Sequence, residues 1–334
     1  MNKNSGITRI QARLAIVATI GCLAFMTGTG VAEAAVAPTP SVAAPPTGPA
    51  PASHAPTSDR AAADPTLWTW LANVLAVPVS WTGSIFGCQP GTNSGASDAA
   101  ALTEINYIRS LNHLAPVTFN SNLSAHARSA ALMMAANHTL DHNPPSSWKC
   151  WSSAGATSAS QSDLAMSEPA ITSGMAISLY MDDDGSSNVA VGHRRWILYP
   201  FTTTMGIGST DTTNALTVVG PTDPGRPNPA WVSWPSAGAF PVAMEPNGRW
   251  SLSSGDSRTK FGKSVVRVYR AGQRVPIHQW PVTNHYGMPT IVWQMPTGFS
   301  TTSDYTVVVK RIHRAGTTQT RSHKYVVRFV SPTA

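Results

Sequence analysis

The stretch Val191–Pro200 reads VGHRRWILYP, and Met205–Ser209 follows it with MGIGS. One imidazole, two guanidinium groups and an indole occupy four consecutive positions, His193 to Trp196, in a chain of which only 12% of the residues are charged. A histidine between a glycine and an arginine pair either faces a ligand or satisfies a structural hydrogen bond. The segments on either side are needed to choose between these two interpretations.

Helices are predicted before this stretch and strands after it. The predicted elements are helices beginning near Asp98, near Asn122 and at Pro169, and strands over 203–209 and 215–220. The second helix brings His138 and His142 close to its C-terminal end, before Pro144 stops it. Because the helices come first and the strands follow, the order predicts helices packed on an antiparallel sheet.

After Pro221 the chain changes to short alternating apolar runs separated by Gly, Pro and Ser clusters. These runs are 265–269, 290–293, 305–311 and 325–329. The pattern is typical of an all-β sandwich. We therefore predict an α+β chain in which a mixed helical and β domain over residues 98–222 precedes a β-sandwich domain over residues 229–334.

The N-terminal residues have the composition of a targeting segment. Three basic residues precede the apolar run Leu14–Met26, and Ala32–Glu33–Ala34 resembles a small-residue cleavage site. The apolar run is too short to span a bilayer. We predict a signal peptide over 1–34 and a secreted protein, then a Pro/Ala-rich linker over 35–63 and an N-terminal extension over 64–97 that docks on the next domain.

Cleavage of the signal peptide removes Cys22 and leaves Cys88 and Cys150. An even pair of cysteines outside the cell most simply forms one disulfide. Its long loop would stabilise the fold by roughly 3–4 kcal/mol on the loop-entropy account. The alternative is two separate buried thiols.

Charge is divided unevenly along the chain. Residues 251–334 carry twelve Lys and Arg against Asp256 and Asp304, whereas residues 35–250 carry eight against thirteen acids. A basic β domain outside the cell suits anionic envelope polymers or lipid headgroups by bulk electrostatics, and ordinary solubility charge is the alternative. Nucleic acid is excluded as a partner because no recognition motif accompanies the charge.

Two segments resemble the signatures of a known superfamily. Residues 101–142, which read ALTEINYIRSLNHLAPVTFNSNLSAHARSAALMMAANHTLDH, and the later VGHRRWILYP with MGIGS are similar to CAP (SCP-like) domains in their bacterial form. This superfamily contains cysteine-rich secretory, antigen-5 and plant pathogenesis-related proteins. The resemblance implies an α-β-α layered CAP domain with a cleft, and the region from about Trp231 resembles the Ig-like β-sandwiches appended to some bacterial CAP domains.

The resemblance also implies site residues. In many members two histidines and two acidic residues meet in the cleft and can hold a divalent metal; here His142 and His193 match the two histidines. The segment that usually carries Gly-Glu-Asn reads QSDLA, so Ser162 stands at the expected glutamate and Asp163 follows it. The acid of the third helix falls near Asp183, and its competitors are Asp182 and Asp184.

Two imidazoles with one or two carboxylates form a donor set suited to zinc or another borderline cation. The alternative is that both histidines only form hydrogen bonds across the layers. His138 and His142 stand four apart without a glutamate after His138, so they do not form a metalloprotease motif. Asp182–Gly185 lacks the alternating ligands of a calcium loop and is interpreted as a solvated, negatively charged turn.

We expect a secreted CAP-domain protein that serves as an extracellular binding module for a metal or for a lipid, envelope polymer or protein partner. The first alternative is a secreted hydrolase or peptidase that uses the cleft histidines, and the second is a structural envelope protein. Ser162 lacks the Gly-x-Ser-x-Gly elbow of serine hydrolases, so no catalytic residue is assigned. Neither a transmembrane span nor a cofactor other than a metal is expected, and the oligomeric state is left open.

Overall fold

A computed structural model describes residues 65–183, 185–283 and 285–331. The predicted signal peptide and linker lie outside these residues. Helices and β-sheets are both present, so the α+β class is confirmed. None of the helices in the described ranges is long and apolar enough to cross a membrane.

Most of the helices belong to the first half of the chain. The α-helices are α1 (Pro65–Ala76), α2 (Gly95–Ser110), α3 (Ser121–Asn137), α4 (Ser153–Ser160), α5 (Ser173–Asp182) and α6 (Gly192–Ile197). A short 3-10 helix follows at Val242–Met244.

The strands form three sheets. The first sheet contains β1 (Thr118–Phe119), β2 (Ser162–Met166), β3 (Thr204–Ser209) and β4 (Thr213–Thr217), in the order β1-β3-β4-β2. The second contains β6 (Gly238–Pro241), β8 (Thr259–Lys260), β9 (Val265–Arg270), β10 (Gln273–Val275), β13 (Tyr305–Arg314) and β14 (Thr320–Val330). The third contains β5 (Trp231–Trp234), β7 (Arg249–Ser254), β11 (His278–Gln279) and β12 (Thr290–Gln294).

The glycines of MGIGS allow α3 to pack directly on the first sheet. A Cβ atom at Gly206 would collide with the backbone of α3 at Leu123 and Ser124, and one at Gly208 would collide with its backbone one helical turn later. Met205 and Ile207 alternate with these glycines and are buried in the main apolar cluster. One face of β3 therefore admits the backbone of α3, and the other face contributes side chains to the main apolar cluster.

Helices cover both faces of the first sheet. On β2, Leu164 and Met166 belong to a cluster with the small residues of α3 and α4, whereas Ala165 between them belongs to the cluster that contains α2 and α5. Strand alternation explains this division, because successive side chains point to opposite faces. All five residues of β2 are buried as a consequence.

Two predicted helix boundaries are wrong. The second predicted helix ends at Asn137, because His138 takes a left-handed conformation with φ 47° as its C-cap, so His142 lies beyond the helix. The third begins at Ser173 rather than at Pro169. Thr172 Oγ1 accepts a hydrogen bond from the Met175 N–H and caps this helix, a function that a proline side chain cannot perform.

The segment before α2 lies against the helical layer. Leu71 and Val74 of α1 are buried, and the Thr172 hydroxyl donates to the Leu75 carbonyl over 2.7 Å. Cys88 and Cys150 form the predicted disulfide, which ties the segment after α1 to the segment before α4. The described part of this extension therefore has covalent and non-covalent attachments to the rest of the chain.

The second and third sheets enclose an aromatic core. Trp234, Trp250 and Trp293 of the third sheet are fully buried. The Trp250 ring lies 5.6 Å from the ring of Tyr305, which belongs to the second sheet. These contacts show that the two sheets face each other.

Contacts also cross the predicted boundary at residues 223–229. The Ser233 N–H donates to Asn112 Oδ1 over 2.9 Å, and Arg226 Nη1 donates to the Thr202 carbonyl over 2.7 Å. Apolar residues from both sides of the boundary belong to one continuous cluster. The boundary itself stays a prediction.

We predict that Gly208→Ala lowers the free energy of unfolding by about 3 kcal/mol, because the added methyl group meets helix backbone that cannot move aside. Gly262→Ala is the matched control, since its added Cβ would meet open space, and it should change stability by less than about 1 kcal/mol. Urea unfolding measures both values. Equal stability of the two variants would contradict the close packing of α3 on β3.

We also predict that Glu104 makes the fold less stable as the pH rises. Burial raises the pKa of Glu104 from 4.5 to about 8. The unfolded chain therefore loses this proton at lower pH than the folded chain does, and stability should fall between about pH 4.5 and pH 8. Glu104→Gln should remove up to about 4 kcal/mol of that loss in urea unfolding across this range. Parallel pH profiles of variant and wild type would contradict this prediction.

Candidate functional site

His193 and Asp183 form a buried ion pair. Asp183 is the C-cap of α5 with φ 46°, and this left-handed turn directs its carboxylate toward α6. Asp183 Oδ1 lies 2.8 Å from His193 Nδ1, and Oδ2 accepts a hydrogen bond from the Arg194 N–H. Both carboxylate oxygens are therefore used to position α6.

The interpretation of Asp182–Gly185 as a solvated turn is wrong for Asp183. Its residue is only 1% exposed. The physical reason is the left-handed C-cap, which turns the side chain inward where two N–H donors satisfy it. Asp183, one of the acids considered at this position, contacts a predicted site histidine.

The charge state of His193 is set by its neighbours. Burial alone would lower its pKa, but the Asp183 carboxylate opposes this effect and raises the pKa to about 9. His193 is therefore an imidazolium at neutral pH. Its ring stacks on Tyr180 with 5.6 Å between centroids, and its Nε2 is buried without a hydrogen-bond partner in the described residues.

Asp163 lies on β2 and is buried. Burial raises the pKa of Asp163 well above its usual value, despite the nearby His193 charge. Its Oδ2 has no hydrogen-bond partner among the described residues. The Tyr180 hydroxyl fixes the strand beside it by donating toward the Asp163 carbonyl and to Asn214 Oδ1.

His142 follows α3 in the loop that leads to α4. Its Nδ1 lies 2.9 Å from the Ala159 carbonyl, an acceptor, so we assign the ring proton to Nδ1 and a lone pair to Nε2. Nε2 is also buried without a partner among the described residues. Burial lowers the pKa of His142, and the positive charge of His193 lowers it further, so this imidazole is neutral.

Ser162 forms no hydrogen bond with His142 or His193 in the described residues. Its hydroxyl lies 3.0 Å from Thr217 Oγ1 and 3.4 Å from Ser158 Oγ, in a buried group of three hydroxyls. Alternation along β2 places Ser162 on the face opposite Asp163. The sequence neighbours Ser162 and Asp163 therefore serve different sides of the sheet.

The described residues provide only a partial donor set for a metal ion. In the part of the chain that the structure describes, no three His, Cys, Asp or Glu side chains lie together as a metal site requires. Both Asp183 oxygens are engaged by protein N–H groups, and His193 carries a proton that a metal would have to displace. What remains is one imidazolium N–H donor and one imidazole acceptor.

Arg194 and Arg195 connect the same helix to the β-sheet region, a role that the sequence did not reveal. Arg194 Nη1 donates to the Arg249 carbonyl over 2.8 Å. Arg195 donates to the Thr283 and Met288 carbonyls over 2.8 and 2.9 Å. The sequence indicates this role only through two adjacent arginines in a chain with few charges, and it does not reveal which groups their side chains contact.

Pockets occur elsewhere on the molecule. One of about 380 Å³ lies beside the disulfide and is lined by Trp148, Trp151 and several serines. Another of about 210 Å³ lies on the second sheet beside Arg270 and Arg274. Neither is lined by His142 or His193. The Nε2 atoms of the two histidines are therefore not reached through either of these openings.

Comparison with known families agrees with the resemblance over part of the chain. Residues 102–220 match the model of CAP, the cysteine-rich secretory protein family. A search of curated proteins finds no match. The matched residues include α3, β2, α5 and α6, the helix that carries His193. They stop before β5, the first strand of the third sheet.

We predict that Asp183→Asn lowers the pKa of His193 from about 9 to below 6.5, because burial then acts without the opposing carboxylate. Imidazole NMR signals followed against pH measure the shift. In the wild type, the pair stabilises the fold below about pH 6.5, and this contribution is lost as the pH rises through about 9. Asp211→Asn, at an exposed turn, is the control; a His193 pKa unchanged in Asp183→Asn would refute the assignment.

Proposed function

We propose that this chain is a secreted CAP-domain protein that acts as an extracellular binding module. The predicted signal peptide, the Cys88–Cys150 disulfide and the CAP match over residues 102–220 support an extracellular location. The helices on both faces of the first sheet support the α-β-α arrangement of CAP domains. The two facing sheets support an Ig-like sandwich for residues 229–334.

One observation carries the binding function. Each of the two histidines is anchored through Nδ1, His142 to a carbonyl and His193 to a carboxylate. In each case Nε2 is left buried and without a partner among the described residues. Proteins anchor one imidazole nitrogen in this way when the other contacts a ligand, and unpartnered buried polar atoms are costly unless they have such a use.

The charge states indicate the chemistry of the ligand. His193 Nε2 presents a charged N–H donor, and His142 Nε2 presents an acceptor. A ligand that carries both an oxyanion and a hydroxyl group satisfies both atoms. Burial raises the pKa of Asp163, which favours its uncharged form and reduces its repulsion toward an anion. We therefore propose a small oxyanion or an acidic, hydroxyl-bearing molecule rather than a divalent cation.

A hydrolase role receives no support from the contacts of Ser162. Its hydroxyl hydrogen-bonds to other hydroxyls, and neither imidazole is within hydrogen-bond distance to act as its base. A binding role needs only the two Nε2 atoms. His142 lies in the loop between α3 and α4 and is partly exposed, although its Nε2 is buried.

Inorganic phosphate is a suitable probe, because it offers acceptor oxygens and a P–OH donor at neutral pH. We predict that the protein binds phosphate in calorimetry and that binding weakens by at least about ten-fold in His193→Ala and in His142→Ala. The reason is that each variant loses one charge-assisted hydrogen bond, which is worth about 1.5–3 kcal/mol. Binding should also weaken as the pH rises through about 9, where His193 loses its proton.

His126→Ala is the matched control, because this histidine is exposed on α3 and should not affect binding. Phosphate binding that persists unchanged in both site variants would contradict the proposal. Micromolar zinc binding that is lost in the same variants would also contradict it and would restore the metal interpretation. Absence of both would leave the structural envelope role as the better one.

A further inference from the structure

The second sheet has one apolar face and one polar face. Val266 and Val268 of β9, Val307 and Val309 of β13, and Tyr325 and Val327 of β14 point inward and are buried. The residues that alternate with them are partly or fully exposed. Strand alternation therefore gives this sheet an outer face whose composition can be read from the register.

The register brings cations of different strands into rows on this outer face. Val308 of β13 pairs with Arg267 on one side and with Lys324 on the other. In the next row, Tyr269 pairs with Arg274 and with Thr306. Lys310 follows Val308 by two positions along β13, so it lies on the same face. We call this surface the cationic face; its charged members are Arg267, Arg274, Lys310 and Lys324.

The acids of this region are already engaged. Within residues 251–331 the acids are Asp256 and Asp304. Asp256 Oδ2 lies 2.6 Å from Arg314 Nε, and Asp304 lies 3.8 Å from Arg328. No ion pair to a carboxylate is formed by the four cations within the described residues, so their charge is available to a partner.

We propose that the cationic face binds a linear polyanion of the extracellular envelope, with phosphodiester or carboxylate groups at regular intervals. Arg267 and Lys324 lie two strands apart, or about 10 Å, and positions i and i+2 on one strand lie about 7 Å apart. The face thus presents a grid of positive charges. This grid matches a polymer with repeating negative charges better than it matches a single small anion.

An anionic bilayer fits this face less well. Surfaces that insert into a membrane carry large exposed apolar side chains beside their cations. On the cationic face the side chains between the cations are Thr306, Val308, Val326 and the partly exposed Tyr269. The large apolar residues that are exposed in the described structure, Phe86, Trp151 and Val219, lie on other elements. These observations favour an anionic polymer over an anionic bilayer as the partner of the cationic face.

The test is binding of long-chain inorganic polyphosphate to the full chain, followed by fluorescence anisotropy over a series of salt concentrations. The face variant R267Q/K310Q/K324Q should bind at least about ten-fold more weakly at low salt. Its slope of log affinity against log salt should be shallower by about 2, because three fewer cations displace counterions. Thermal unfolding verifies that the variant folds.

The matched control R128Q/K149Q/R258Q removes the same charge from positions outside the cationic face and should bind within about two-fold of the wild type. An equal loss of affinity in both triple variants would show that binding depends only on net charge and would overturn the proposal. Failure of the wild type to bind polyphosphate would overturn it as well. So would binding to phosphatidylglycerol vesicles that exceeds polyphosphate binding and depends on the same three residues. Polyphosphate binding that is lost in H142A/H193A but kept in the face variant would place the polymer at the histidine site and overturn this proposal, which separates it from the one made for the histidines.

Discussion

The buried guanidinium of Arg194 is the interaction on which the rest of the arrangement depends. It donates to the Met181 and Asp182 carbonyls at the end of α5 and to the Arg249 carbonyl of β7. Burial lowers its pKa to about 10, so it remains charged at neutral pH and needs these partners. A change that separated α5 from β7 would leave that charge unsatisfied, so the CAP-type region and the β-sheet region are held in one geometry.

This constraint has a consequence for the histidine site. His193 precedes Arg194 on a helix of six residues, and the Asp183 carboxylate bonds to both of them. Because α6 is so short, its direction is set by its contacts rather than by its own stability. The β-sheet region therefore helps to orient the imidazole, although in the described residues none of its side chains forms a hydrogen bond with the His193 ring. The short helix α6 therefore carries both a site histidine and the arginine that connects the two regions.

Sequence periodicity predicted the elements better than it predicted the site. The strands at 204–209 and 265–270 lie within one residue of their predicted bounds, because alternation and flanking glycines are local signals. The boundaries failed at His138, where a left-handed cap ends the second helix, and at Pro169, four residues before the third helix begins. At Asp183, a second left-handed cap turns the side chain inward. No local pattern indicates that such a cap will bury a carboxylate against an imidazole from ten residues further on. The opposite faces of Ser162 and Asp163, in contrast, follow from alternation alone once β2 is recognised.

The chain separates its charges by what surrounds them. His193, Asp183 and Arg194 are buried, and an ion pair or carbonyl groups offset their charges, so the group left for a ligand is His193 Nε2, which acts only in direct contact. The charges of the second sheet lie on its solvent side, where salt screens them but where a polyanion can reach them. Recognition of a small ligand at the histidines would then depend on proton positions, and recognition at the sheet on ionic strength. Two binding events with such different physical dependence would be distinguished by their responses to pH and to ionic strength.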